Sequence, residues 1–60
     1  MFLEIGNKVS IKKHLPNEGQ KGTIENIYPE GTIQAEVIYK VKFNINRSGL
    51  YKEDELYKED

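Results

Sequence analysis

The sequence predicts an all-β fold, a small barrel of five short strands with a 3₁₀ turn near the C-terminus. Two observations carry that expectation. From Gln34 to Phe43 the chain alternates, with Ala35, Val37, Tyr39, Val41 and Phe43 on one face and Gln34, Glu36, Ile38, Lys40 and Lys42 on the other. That is the two-residue period of a half-buried strand. Clusters of turn-forming residues also recur at short intervals: Pro16-Asn17-Glu18-Gly19, Pro29-Glu30-Gly31, and Asn44, Asn46, Ser48 and Gly49. They leave room for strands and hairpin loops but not for a long helix. Among all-β arrangements of this size a barrel is favoured, because closure removes exposed strand edges.

The remaining elements follow in order. Lys8 to Lys13 alternates like the clearest strand and turns Val9 and Ile11 inward, with Lys8, Ser10 and Lys12 outward. Lys21 to Tyr28 is rich in β-formers, but Ile24 and Ile27 stand three apart. Both reach one face only if a bulge or a strong bend separates them. Gly49 to Lys52 makes a short fourth strand, Glu53-Asp54-Glu55 a polar 3₁₀ turn, and Leu56 and Tyr57 lead back to the barrel. The expected core is Leu3, Ile5, Val9, Ile11, Ile24, Ile27, Val37, Tyr39, Val41, Phe43, Leu50 and Leu56.

A chain of 60 residues has room for one domain, and it buries only about 60% of the surface its unfolded form exposes. With no cysteine and the single His14, it has neither a disulfide framework nor the ligands of a zinc site. Stability must come from a compact apolar cluster, each large side chain contributing about 1.5–3 kcal/mol when fully buried. No apolar run approaches the roughly 20 residues of a membrane span, and the start, MFLEIGNK, lacks a basic segment followed by an apolar one. The expectation is a soluble, unprocessed, cytoplasmic protein, to which the absence of cysteine is suited. The net charge of −1 is unevenly spread, with +2 over residues 1–50 and −3 over residues 51–60. Such a body attracts a polyanion locally, without long-range steering.

Four short motifs occur in a telling order: Gly6-Asn7-Lys8-Val9, then Gly19-Gln20-Lys21-Gly22-Thr23-Ile24 with Ile27, then Val41-Lys42-Phe43, and finally Glu53-Asp54-Glu55-Leu56. In this order the chain resembles the SH3-like barrels of the KOW and Tudor-like families over nearly its whole length. It also looks like the small Tudor-like domain at the C-terminus of some bacterial DNA helicases, and like short SH3-like proteins of phages and prophages. The resemblance implies one SH3-like domain over residues 1–60, with a surface for nucleic acid, ribosome, polymerase or a peptide. Folds of this kind host many functions, so the candidate residues have to be weighed one by one.

Lys8, Lys12, Lys13 and Lys21, with Lys40 and Lys42, fall on outward strand positions or beside loops, where ammonium groups can meet phosphates. Solubility alone also explains them, and Glu25 and Glu36 interrupt the patch. Gly19 and Gly22 form a tight backbone turn; the alternative is a segment that brings its N–H groups close to a phosphate. The Lys-Ser or Lys-Thr ending of a P-loop is absent. Tyr28 and Tyr51 flank loops and are the aromatics to place toward a ligand, whereas Tyr39 belongs to the core. Ile38 is the apolar exception on a polar strand face and marks an interface if Tyr28 or Tyr51 joins it. His14 reads as a surface histidine with no nucleophile beside it. The acidic run Glu53 to Asp60 reads as a solvated end, its rival being mimicry of phosphates.

These residues define a binding module without catalytic residues, metal ligands or cofactor. Its expected partner is nucleic acid or a nucleic-acid-handling machine, met through Lys8, Lys12, Lys13 and Lys21. The alternative is a protein-interaction module or small phage-type inhibitor holding a peptide or protein through Tyr28, Ile38 and Tyr51. No membrane partner is expected, and the oligomeric state is open.

Overall fold

The computed structural model describes residues 3–12, 15–31 and 35–59. Among them run β1 (Lys8–Ile11), β2 (Lys21–Tyr28), β3 (Ile38–Asn44), β4 (Arg47–Lys52), a 3₁₀ turn (Glu53–Glu55) and β5 (Leu56–Glu59). The strands make one antiparallel sheet in the order β4-β3-β2-β1-β5. This sheet is open. β4 and β5 are its two edges, and no ladder joins them among the described residues, so the closed SH3-like barrel expected above is not formed. Closure was expected as the remedy for exposed edges, but here the edges are short and charged. β4 carries Arg47 and Lys52, and the four-residue β5 carries Lys58 and Glu59. Short, charged edges discourage edge-to-edge pairing without any closure.

The inner face of the sheet holds the core. Leu3, Val9, Ile11, Ile24, Tyr39, Val41, Tyr51 and Leu56 are buried, with Leu15, Ile27, Val37 and Phe43 packed against them. Two rows cross the sheet, Ile24–Val41–Gly49 and Ile27–Tyr39–Tyr51, each drawn from β2, β3 and β4. Both isoleucines reach this face because the ladder steps from Ile24↔Val41 to Asn26↔Lys40, leaving Glu25 as the extra residue of a bulge. The three-residue spacing in the sequence had required such a bulge.

Small residues stand where large ones press. A Cβ added at Gly22 would lie 2.6 Å from Val41 Cγ1 and 2.8 Å from the Lys42 carbonyl oxygen, and one added at Gly49 would lie 2.9 Å from Tyr51 Cε2. The Tyr51 ring thus lies over Gly49 and meets Phe43 edge-on, with centroids 6.1 Å apart. Its hydroxyl accepts a hydrogen bond from Asn17 Nδ2 (3.3 Å). The loop between β1 and β2 is held by Arg47, whose Nη2 donates to Asn17 Oδ1 (3.1 Å) and Gln20 Oε1 (3.2 Å) while its guanidinium lies over the Phe43 ring. Asn17 takes φ +69°, a left-handed conformation that asparagine tolerates better than most residues.

Several boundaries and faces differ from expectation. β3 begins at Ile38, not Gln34, because Tyr28 and Lys52, its partners at Ile38, are the last residues of β2 and β4. β1 ends at Ile11, and Lys13, His14 and Gln34 lie outside the described residues. β4 starts two residues earlier than expected, at Arg47, since the hairpin tip is confined to Ile45 and Asn46. Its pairing Tyr39↔Tyr51 turns Tyr51 inward, only 8% exposed, and sends Leu50 outward, 62% exposed. Ile5 is likewise exposed (63%), in the turn that precedes Gly6.

Gly22 is therefore a packing requirement. Gly22→Ala should lower the unfolding free energy by about 1–3 kcal/mol through overpacking. Gly31→Ala, whose Cβ would meet nothing within 4 Å, should stay within about 0.5 kcal/mol; urea denaturation of both variants measures the contrast.

Candidate functional site

The outer face of the sheet is where the sequence-predicted lysines meet. Strand pairing sets a row across five strands, Glu59 (β5), Lys8 (β1), Thr23 (β2), Lys42 (β3) and Ser48 (β4). A second row, Tyr57–Ser10–Lys21, runs beside it across β5, β1 and β2. Neighbouring strands lie about 4.8 Å apart, so Lys8 and Lys42 are roughly 10 Å apart at the backbone, with Thr23 between them. Lys8, Lys21, Thr23 and Lys42 line one shallow depression of about 240 Å³. Lys42 also borders a second depression, lined by Glu25, Lys40, Asn44, Ile45, Asn46, Arg47 and Ser48.

The ion pairs divide these lysines. Lys21 Nζ lies 3.6 Å from Glu59 Oε1, Lys40 Nζ 3.5 Å from Glu25 Oε2, and Lys52 Nζ 3.2 Å from Glu36 Oε2. Lys8 and Lys42 form no ion pair among the described residues. Glu59 is held further by the Ser10 hydroxyl, which donates to its Oε2 at 3.0 Å. Ser10 was expected to face outward; it does lie on the outer face, but its neighbours cover it. Lys12 stands apart from the row, its Nζ 4.9 Å from the centre of the Tyr57 ring. The structure thus brings Lys8 and Lys21 together and adds Lys42, keeps Lys12 on the β5 side, and does not describe Lys13.

Gly19 and Gly22 do not make a cradle of free amides. Gly19, at φ +82°, donates its N–H to the Ile11 carbonyl, and Gln20 donates to Asn17. Gly22 is packed inside β2 against Val41. Of the aromatic and apolar candidates, Tyr28 and Ile38 are direct cross-strand partners on the outer face, while Tyr51 is in the core. Leu50, opposite Lys40 in the neighbouring row, is the exposed apolar side chain of β4 on this face, where Tyr51 had been expected. Thr23 and Arg47 were not singled out by the sequence. Outward alternation from Ile24 points to Thr23, whereas the position of Arg47 depends on a hairpin register that no local pattern specifies.

Two groups titrate away from their ordinary values. Burial raises the Tyr39 phenol above 10.0, with the Glu53 charge adding to the effect and a hydrogen bond to the Leu3 backbone opposing it. Lys52 is raised above 10.5 by its hydrogen bond to Glu36 and that carboxylate's charge.

Comparison with family models, with curated proteins and with solved structures finds no match. The resemblance to KOW and Tudor-like domains therefore has no support from those comparisons, and the open sheet speaks against it. Among the described residues, no helix is long and apolar enough to cross a membrane, and no three His, Cys, Asp or Glu side chains are grouped to hold a metal ion.

The raised values of Tyr39 and Lys52 act in one direction. The unfolded chain loses these protons from about pH 10 upward while the folded chain still holds them, so the unfolded state binds fewer protons and stability falls as pH rises. Urea midpoints measured between about pH 9 and 11 should decline, and Tyr39→Phe should remove part of that decline.

Proposed function

We propose that this protein is a non-catalytic module that binds nucleic acid through the phosphate backbone, working in the cytoplasm. The observation that supports the reading best is the grouping of Lys8, Lys21 and Lys42 with Thr23 around one shallow depression of the outer face. Ammonium groups at such spacing neutralise successive phosphates and release counterions, and a hydroxyl adds a directional hydrogen bond. Lys8 and Lys42 give up no ion pair among the described residues on binding, and Lys21 exchanges one exposed contact for another. Exposed pairs are worth only about 0–1 kcal/mol, so that exchange costs little. With a net charge of −1 the attraction is local, and affinity must fall with salt.

A second reading rests on the cross-strand pairing of Tyr28 with Ile38, with the exposed Leu50 in the neighbouring row of the same face. A protein or peptide partner would use this end of the sheet, with the lysines serving solubility. Three side chains make a small patch, below the several hundred Å² that usually mark a protein interface.

Oligonucleotide binding followed over a salt series separates the two readings. Three phosphate contacts predict a log–log slope near −2 for a single strand, and Lys8→Gln with Lys42→Gln should reduce its magnitude by about 1.4. Binding that keeps its strength and slope in this double variant would sink the phosphate-reading proposal. Loss of a captured protein partner in Leu50→Glu would favour the second reading.

A further inference from the structure

We propose that the nucleic acid bound is single-stranded and that Tyr57 stacks on one of its bases; this deepens the reading above and rests on it. Tyr57 lies directly opposite Ser10, which lies opposite Lys21, so its ring shares the outer face with the lysine row. It keeps 53% of its surface exposed although the Lys12 ammonium lies 4.9 Å from its centre. An aromatic ring beside cations is the combination that holds unpaired nucleotides: the ring takes a base of any identity and the ammonium groups take the phosphates. Lys12 at the ring and Lys21 two strands away place two cations on the sheet side of Tyr57, within the path of a strand that runs from the edge across β1 and β2.

The shape of the face favours a single strand over a duplex. A duplex offers base edges only within its grooves, which an inserted helix or two-stranded ribbon reads. The lysines and Tyr57 lie instead along the broad outer side of a sheet, where phosphates and one splayed base are reached together only if the base is unpaired. Glu59 is a weak competitor at the site. Its carboxylate, at the β5 end of the row, accepts from Ser10 and pairs with Lys21, so an incoming phosphate competes with it for Lys21.

The test compares a short oligothymidylate, an abasic strand of equal length and a duplex of equal length, by fluorescence anisotropy at low salt. Thymidylate should bind more tightly than the abasic strand by about 5- to 150-fold, the span of one base–aromatic stack. Tyr57→Leu should remove that difference, Tyr57→Phe should keep it, and Glu59→Gln should tighten binding of both strands. In the unmodified protein, the Tyr57 ring protons should shift on adding thymidylate and not on adding the abasic strand, a readout that does not depend on any variant folding. Equal binding of thymidylate and abasic strands, with the lysine variants still weakening both, would overturn the stacking role and leave the phosphate reading standing. A duplex that binds more tightly than either strand would overturn the single-strand preference. No binding of any of the three at low salt would overturn both proposals.

Discussion

One extra residue in β2 organises both faces of this sheet. Without the bulge at Glu25, the two-residue period that points Ile24 at the core would point Ile27 away from it. A slip of one residue in a strand exchanges its faces completely. With the bulge, Ile24 and Ile27 both enter rows that run through β3 into β4, and Tyr28 comes out beside Ile38. The same irregularity decides the charges outside. Glu25 stays on the outer face within 3.5 Å of Lys40, while Lys42, on the other side of the bulge, pairs across the ladder with Thr23 and is left to the lysine row.

Packing at the glycines reinforces that register. Val41 presses on β2 where only Gly22 leaves room, and Tyr51 lies flat where only Gly49 does. Small residues opposite large ones allow a chain this short to reach interior density. They also fix which way β4 faces, since the Tyr51 ring has a place on the inner side and Leu50 does not. The Asn17–Arg47–Gln20 contacts then fasten the first loop across the β3–β4 hairpin and cover the Phe43 end of the core.

Much of this was legible in the chain, and what was not has a common cause. The odd spacing of Ile24 and Ile27 announced the bulge, the acidic triplet at Glu53–Glu55 announced the 3₁₀ turn, and alternation placed Lys8, Lys21 and Lys42 outward. Alternation fails at Leu50-Tyr51, where two apolar neighbours leave the inward one undecided until Gly49 is set opposite Val41. It also says nothing about which distant strands pair. The closed barrel was inferred from the general cost of edges, and only the ladder order shows that the charged ends of β4 and β5 stay unjoined. The lysine row was invisible for the same reason, because Lys8 and Lys42 become neighbours only through Thr23 between them. Tyr57 looked like one of several aromatics until β5 was laid beside β1.

The placement of β5 has a kinetic meaning. The β2–β3–β4 meander closes short loops, whereas β5 reaches its place only when Leu56 finds Ile11, and the Ser10–Glu59 hydrogen bond joins residues 49 positions apart. Loop-closure entropy makes the first β1–β5 contact dearer than the first β2–β3 contact by roughly 1.3 kcal/mol, which favours forming the meander before β5 docks. β5 is four residues long and paired on one side only, which makes it easier to open than β2 or β3, each paired on both sides. Opening of β5 would free Lys21 from Glu59 and carry Tyr57 away from Lys12. The outer face thus joins the lysines of β1 to β3, on strands paired on both sides, to Tyr57 and Glu59 on a short strand paired on one.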